Sequence, residues 1–279
     1  MPKERFHLLL ADRFIKSSKC PAPLAGALER ERLVYFTGAH SPDIFFYDVP
    51  TFSLNTLGDR LHAFMELEGL SPLESWLSSL GRDIPEPALA WGLGFASHFL
   101  ADALWHPVIN NLAGNLDFCR GHGLSAIGCH RLIESEMEAF WLPRPGNADS
   151  YLGFLEKISK ERDRLGEISS FYRQFLDSAG LGPLPSAQRI RRCFLKQNFL
   201  LRLFAWPVLG GFRDRLLKVR PGRYLGSLAV PLQSVLQSEL SRVPANRDPF
   251  SESFMEEGFT SLASRLGDFA ERLSPFPPS

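Results

Sequence analysis

One segment organises this 279-residue chain, and it reads Trp91-Gly-Leu-Gly-Phe-Ala-Ser-His98-Phe-Leu-Ala-Asp102-Ala-Leu-Trp-His106. Pro87 is suited to a first helical turn and Pro107 to a helix end, so we predict a helix over residues 87–106. Nothing strand-like precedes Gly92-Leu-Gly94, and these glycines therefore indicate close helix packing rather than a phosphate-binding loop. The helix is too apolar to be an exposed one.

Polar residues recur every fourth position in this helix, at His98, Asp102 and His106. Residues spaced by four stay on one helix stripe and drift by only about 40° per step. His130 and Glu134 repeat the spacing on a second predicted helix. Neutral imidazole nitrogens and carboxylate oxygens are ligands of zinc and similar divalent ions. The pattern therefore predicts a metal site between two helices.

The simpler explanations for these residues account for less. All seven histidines lie in the first 130 residues. Buried without a metal, they would leave polar groups unsatisfied at about 1–3 kcal/mol each. Exposed ion pairs at this spacing are worth only tenths of a kcal/mol. A zinc knuckle of Cys119, His122, Cys129 and His130 is an alternative, but its spacing fits no standard finger, and His130 is better paired with Glu134.

The helical pattern extends over most of the chain and predicts an all-α fold, a compact multi-helix bundle with the metal cluster in a cleft between helices. Residues 44–47 are a short apolar run that could form a strand without a visible partner, and residues 110–115 are expected to be a loop. Prolines, a glycine and an asparagine within 143–147 mark the strongest boundary. We therefore predict a metal-binding core over residues 1–145 and a C-terminal helical region over residues 146–279 packed on it. Further helices are expected near 4–17, 24–36, 52–68, 73–80, 123–141, 150–164, 166–179, 186–218 with a break at Pro207, 228–242 and 252–273.

Composition limits the function classes. The formal net charge is zero, which gives no general signal for nucleic-acid binding. The four cysteines are widely spread and form no CxxC pair. We find no signal peptide and no apolar run of about 20 residues. The expectation is a soluble, cytoplasmic protein with free thiols.

Residues 189–223 form a cationic and aromatic stretch, with ten basic residues opposed only by Asp214. Such a stretch can lie in a membrane interface, which would make the protein peripheral to the membrane. It can equally be the basic face of a helix packed on its own domain.

The chain resembles the zinc-dependent phospholipase C family, whose wider fold group includes zinc-dependent single-strand nucleases. The resemblance covers about residues 1–140 and implies an all-α fold with up to three zinc ions. It rests on His7, Gly38-Ala-His-Ser-Pro-Asp43, His62, Trp91-Gly-Leu-Gly-Phe-Ala-Ser-His98, Asp102-Ala-Leu-Trp-His106-Pro and His130-Arg-Leu-Ile-Glu134.

The resemblance also implies a ligand set of eight residues. One zinc ion would be held by Asp43, His62, His98 and Asp102. A second would be held by His106, His130 and Glu134. A third would use His7 with Asp102 as a bridge. In secreted relatives a processed amino terminus that begins with Trp completes the third site, whereas this chain begins Met1-Pro2, so two ions are expected and the third is left open. The gap between Asp102 and His106 is also shorter than in those relatives.

This site would hydrolyse a phosphodiester by metal-activated water, with Asp43 as the residue that orients or deprotonates the water. A phospholipid is the expected substrate. A zinc nuclease or nucleotidase, and a non-catalytic metal-stabilised protein that docks on a membrane or partner, are the alternatives. His40 and His122 are expected to be solvated loop residues rather than ligands.

Overall fold

A computed structural model describes residues 4–142, 150–219, 223–229, 236 and 248–273. Within these ranges the chain is all-α, as predicted, and contains no strand. A 3₁₀ helix spans Pro42–Tyr47. The α-helices are α1 Glu4–Ile15, α2 Ala22–Arg30, α3 Arg32–His40, α4 Asn55–Glu68, α5 Ser71–Ser79, α6 Glu86–Asn115, α7 Asp117–Gly121, α8 Ala126–Trp141, α9 Ser150–Lys160, α10 Arg162–Ser178, α11 Ala187–Phe204, α12 Pro207–Lys218, α13 Arg223–Leu228 and α14 Glu252–Leu273.

Helix α6 is the centre of the fold, and α1, α3, α4, α8 and α14 all pack against it. Its closest neighbour is α3, which it meets through glycines. A Cβ atom on Gly94 would lie 2.0 Å from the carbonyl oxygen of Tyr35, and one on Gly38 would lie 2.2 Å from that of Trp91. Only glycine allows the two backbones to approach this closely. The packing role predicted for Gly94 is therefore confirmed.

Helix α6 is longer than predicted, because it continues through Pro107 to Asn115. The expected helix end at Pro107 and the expected loop at 110–115 are both wrong. A proline inside a helix removes one hydrogen bond and costs about 3 kcal/mol. Ile109 and Leu112 are buried beyond it, and each such side chain stabilises by about 1.5–3 kcal/mol. Their burial offsets the proline.

Residues 44–47 form the end of the 3₁₀ helix rather than a strand. Pro42 stands at its first turn, where the missing N–H costs nothing. Ile44 and Phe45 are fully buried, and the 3₁₀ helix packs against α4 and α11. The apolar run therefore fills the core between helices and needs no strand partner.

A disulfide joins Cys119 in α7 to Cys129 in α8, while Cys20 and Cys193 are free. The expectation of free thiols is therefore wrong for two of the four cysteines. Because the turn at Gly123 reverses the chain, the two Cα atoms lie 5.6 Å apart, within disulfide range. Oxidised cysteines are not zinc ligands, which removes the zinc-knuckle alternative. The cytoplasmic location stays a prediction, and this disulfide weighs against it.

The described part of the second half is mostly helical. The predicted break at Pro207 is confirmed by the end of α11 at Phe204 and the start of α12 at Pro207. Residues 143–147 lie outside the described ranges, so the boundary between 1–145 and 146–279 stays a prediction. Most of the helix expected near 228–242 also lies outside them. Among the described helices, none is both long and apolar enough to cross a membrane.

Candidate metal centre

Eight histidine and carboxylate side chains converge where α1, α4, α6 and α8 meet the 3₁₀ helix. They form three groups, in each of which one ligand atom per residue lies within 4.8 Å of the others. The groups are His7 with His98 and Asp102, Asp43 with His62 and His98, and His106 with His130 and Glu134. The structure thus brings together all eight residues that the sequence proposed.

Asp102 lies at the middle of the cluster. Its Oδ1 is 3.2 Å from Nε2 of His106 and 3.4 Å from Nε2 of His7. Its Oδ2 is 3.2 Å from Nε2 of His98 and 3.9 Å from Nε2 of His62. One carboxylate therefore faces four imidazoles from three helices, the position of a ligand that bridges two cations.

Three of the histidines are anchored through Nδ1, which fixes the direction of Nε2. The Nδ1 atoms of His98 and His62 lie 2.9 Å from the carbonyl oxygens of Ala39 and Gly58, respectively. The Nδ1 atom of His130 lies 2.7 Å from Oδ1 of Asn110. A ligating histidine almost always donates its second nitrogen in this way, because the bond sets the tautomer and the ring orientation. The contact of α3 with α6 supplies the Ala39 anchor.

Burial and charge set the protonation states of the cluster. Burial and the neighbouring His98 lower the pKa of His7 to about 3. Burial alone would lower the pKa of His98, but the carboxylates of Asp102 and Asp43 raise it to about 9. Burial alone would raise the pKa of Asp102, but His98 and His106 hold it well below its usual range. The carboxylate is thus charged and His7 neutral, the forms that bind metals, and His98 carries a positive charge that a cation can replace.

Several buried polar atoms of the cluster have no hydrogen-bond partner among the described atoms. They are both ring nitrogens of His7, both carboxylate oxygens of Asp43 and of Asp102, and Nε2 of His98 and of His106. The atoms of Asp43, Asp102, His98 and His106 nevertheless lie at ion-pair distances from other atoms of the cluster, and imidazole nitrogens and carboxylate oxygens so arranged are suited to bind a cation. His7, Asp102, His106 and Glu134 also line a cavity of about 20 Å³, enough for one water-sized particle. The donor set and the space therefore fit divalent zinc.

The sequence model of the family described as zinc-dependent phospholipase C matches residues 6–180. The chain belongs to the zinc-dependent phospholipase C family. All eight clustered residues lie within the matched part, whereas α11 to α14 lie beyond it. No curated protein and no solved structure matches the chain. Membership supports zinc as the metal and a phosphodiesterase-like hydrolase function.

A cleft of about 830 Å³ opens beside the cluster. Its lining includes three residues of the cluster, His62, Asp102 and His106. The other lining residues are both apolar and polar, and among them are Met65, Leu70, Phe99, Leu100, Glu66, Asn110, Arg265, Asp268 and Arg272. The arginines come from α14, outside the part that matches the family. The cleft therefore combines a candidate metal cluster with apolar and charged surfaces.

Sequence reasoning missed Asn110 and Arg265. Asn110 continues the His98, Asp102, His106 stripe by one more step of four, but the expected helix end at Pro107 concealed it. Arg265 reaches the cleft from a helix far along the chain, and nothing local to it indicates a site.

His40 and His122 belong to none of the three groups. His40 is fully buried, and its Nδ1 lies 2.7 Å from Oε1 of Gln197. The expectation that it is solvated is therefore wrong, because Gln197, from α11, satisfies it within the core. His122 is half-buried, with its ring stacked on Phe118 and its Nδ1 2.9 Å from the Phe118 carbonyl oxygen.

Proposed function

We propose that the protein is a zinc-dependent phosphodiesterase of phospholipase C type, which cleaves the phosphodiester bond of a phospholipid. The observation that carries the proposal is the convergence of unpartnered, buried imidazole and carboxylate atoms beside the 830 Å³ cleft. Family membership supports the choice of zinc and of phosphodiester hydrolysis.

The three groups divide the ligands between ions. Asp43, His62, His98 and Asp102 would hold one zinc ion, and His106, His130 and Glu134 a second. His7 and Asp102 would take part in a third, and His98 is the residue grouped with them. When bound, zinc supplies Lewis acidity toward the phosphoryl oxygens and lowers the pKa of a coordinated water toward about 7.

The chain's own residues position the substrate and move the proton. Asp43 is buried, and its Oδ1 lies 3.2 Å from Nε2 of His62. It accepts the proton of the attacking water as the new bond to phosphorus forms. The bond from phosphorus to the glycerol oxygen then breaks, and that oxygen takes up a proton.

The cleft walls suit an amphipathic substrate. The side chains of Met65, Leu70 and Phe99 can contact the glycerol and the first methylene groups of the acyl chains. Glu66 and Arg265 bring both signs of charge to the lining of the cleft, which suits a head group that carries both.

The test is zinc analysis of the purified chain together with hydrolysis assays on phosphatidylcholine, single-stranded DNA and a chromogenic phosphodiester. Asp102→Ala is compared with Asp83→Ala, which removes an exposed aspartate that lines neither the cluster nor the cleft. We expect bound zinc and lipid hydrolysis in the parent chain and in Asp83→Ala, and loss of hydrolysis together with at least one zinc ion in Asp102→Ala.

Each other outcome has a definite meaning. A chain without stoichiometric metal contradicts every catalytic interpretation. Turnover of single-stranded DNA but not of phospholipid would identify the protein as a nuclease rather than a phospholipase C. Full metal content with no turnover of any substrate identifies a non-catalytic, metal-stabilised protein.

A further inference from the structure

Among the described residues, large exposed apolar side chains are concentrated around the link between α11 and α12. Five of the nine such residues lie between positions 199 and 219. They are Phe199, Trp206, Val208, Phe212 and Val219, with exposures of 66%, 54%, 49%, 50% and 57%. Trp206 stands in the short link where α11 gives way to α12. We call these five residues, together with the exposed cations Arg192, Arg202, Arg215 and Lys218, the elbow surface.

Cationic side chains share the helix faces that carry these apolar residues. On α11, Arg192 precedes Phe199 by seven residues and Arg202 follows it by three. All three side chains therefore lie on the same stripe of the helix. On α12, Arg215 follows Phe212 by three, and its guanidinium lies 5.6 Å from the centre of that ring. Lys218 is exposed at the end of the same helix.

Other basic residues of the stretch 189–223 are used inside the fold. Arg213 is fully buried, 2.6 Å from Glu136. Arg189 lies 2.8 Å from Asp48, and Lys196 donates to the Val49 carbonyl oxygen at 2.5 Å. The structure therefore separates cations that hold the fold together from cations that face outward.

The outward cations of the elbow surface have little internal compensation. Among the described side chains, one carboxylate pairs with these cations: Glu156 lies 3.8 Å from Arg202. Arg192, Arg215 and Lys218 form no ion pair with a described carboxylate. The same two helices already bury their opposite faces, for example through Phe194 and Leu217. Packing among the described residues therefore does not account for the elbow surface.

We propose that the elbow surface docks the protein on an anionic lipid bilayer. Its arginines and lysine would contact lipid phosphates, while Trp206 and Phe212 enter the boundary between head groups and acyl chains. A second copy of the chain is disfavoured as occupant, because two like-charged surfaces would repel. Docking goes beyond the proposed function, since it requires no turnover and no bound zinc.

The experiment is co-sedimentation of the full chain with vesicles of phosphatidylcholine alone and with 30% phosphatidylserine, a composition chosen at roughly the anionic content of cytoplasmic leaflets. Each basic residue near such a surface is worth about a five-fold change in partitioning. We expect binding to the anionic vesicles that weakens with salt. Arg215→Glu combined with Lys218→Glu should weaken it by at least about 25-fold, and Trp206→Ser combined with Phe212→Ser should weaken it without changing the salt dependence.

Matched controls remove the same side-chain types elsewhere. Leu67→Ser deletes an apolar residue that is 81% exposed, and Arg82→Glu combined with Lys19→Glu reverses two exposed cations. Both should bind like the parent chain, and circular dichroism checks that every variant is folded.

Several results would overturn the proposal. They are equal binding to neutral and anionic vesicles, equal weakening by the control variants, or unchanged binding in both elbow variants. Lipid-free self-association that the elbow variants abolish would assign the surface to a second copy. Vesicle binding without hydrolysis leaves docking standing and refutes only the proposed activity.

Discussion

The anchor of His130 gives a prediction that addresses one part of the metal cluster. In Asn110→Ala the acceptor 2.7 Å from Nδ1 of His130 is lost. The ring can then turn, and Nε2 no longer faces Glu134, from whose Oε1 it lies 2.5 Å. Removal of such an outer partner typically lowers metal affinity by about 10–100-fold, or about 1.4–2.7 kcal/mol.

The effect should be confined to one group. His98 and His62 are anchored by backbone carbonyl oxygens of Ala39 and Gly58, which the substitution leaves in place. Zinc titration against a chromophoric chelator should therefore show one class of site weakened and the others unchanged. Asn110→Asp keeps an oxygen at the same position and should bind zinc at least as tightly as the parent chain.

Two outcomes would refute this reasoning. If Asn110→Ala binds zinc with parental affinity at every site, the Asn110 contact does not position a ligand. If all sites weaken together in both variants, the change acts through the fold and not through His130.

Three further substitutions test the structure that supports the site. Gly94→Ala places a Cβ atom 2.0 Å from the Tyr35 carbonyl oxygen, so α3 and α6 must separate. Urea unfolding should show that the free energy of unfolding falls by about 1–3 kcal/mol. Parental stability would contradict the close approach of the two helices. Arg213→Met removes the guanidinium that lies 2.6 Å from the buried carboxylate of Glu136. We expect a loss of about 3–5 kcal/mol in the same assay, largely recovered when Glu136→Leu is added, and no recovery would show that the pair is not the cause. Cys119→Ser opens a loop with a sequence separation of 10 and should cost about 2–3 kcal/mol; a reducing agent should have the same effect on the parent chain and none on the variant, whereas a parent chain insensitive to reduction would argue against the disulfide.

The sequence predicted the helices and the stripe of ligands because both depend on local spacing. The bounds of α14, the break at Pro207 and the packing role of Gly94 follow from periodicity and from the properties of glycine and proline. The end of α6 does not, because the burial of Ile109 and Leu112 against other helices outweighs the local effect of Pro107.

Local spacing predicted only part of the site, and the other candidate ligands came from the resemblance to the family. Spacing alone placed His98, Asp102 and His106 on one face, but the arrival of Asp43 and His62 beside them depends on how α3 and α4 pack. The carbonyl anchors at Ala39 and Gly58 carry no signal in the side-chain sequence. The prediction that His40 is solvated failed because its hydrogen-bond partner, Gln197, lies 157 positions away in the sequence. Local sequence carries no signal for such a contact.

The most direct test of the central claim is the zinc content of the purified chain. The measurement is made by mass spectrometry of the elements after dialysis against zinc and then against metal-free buffer. We predict two to three zinc ions per chain, with at least one fewer in Asp102→Ala and the full content in Asp83→Ala. Less than one zinc ion per chain, or equal content in the two variants, would contradict the claim.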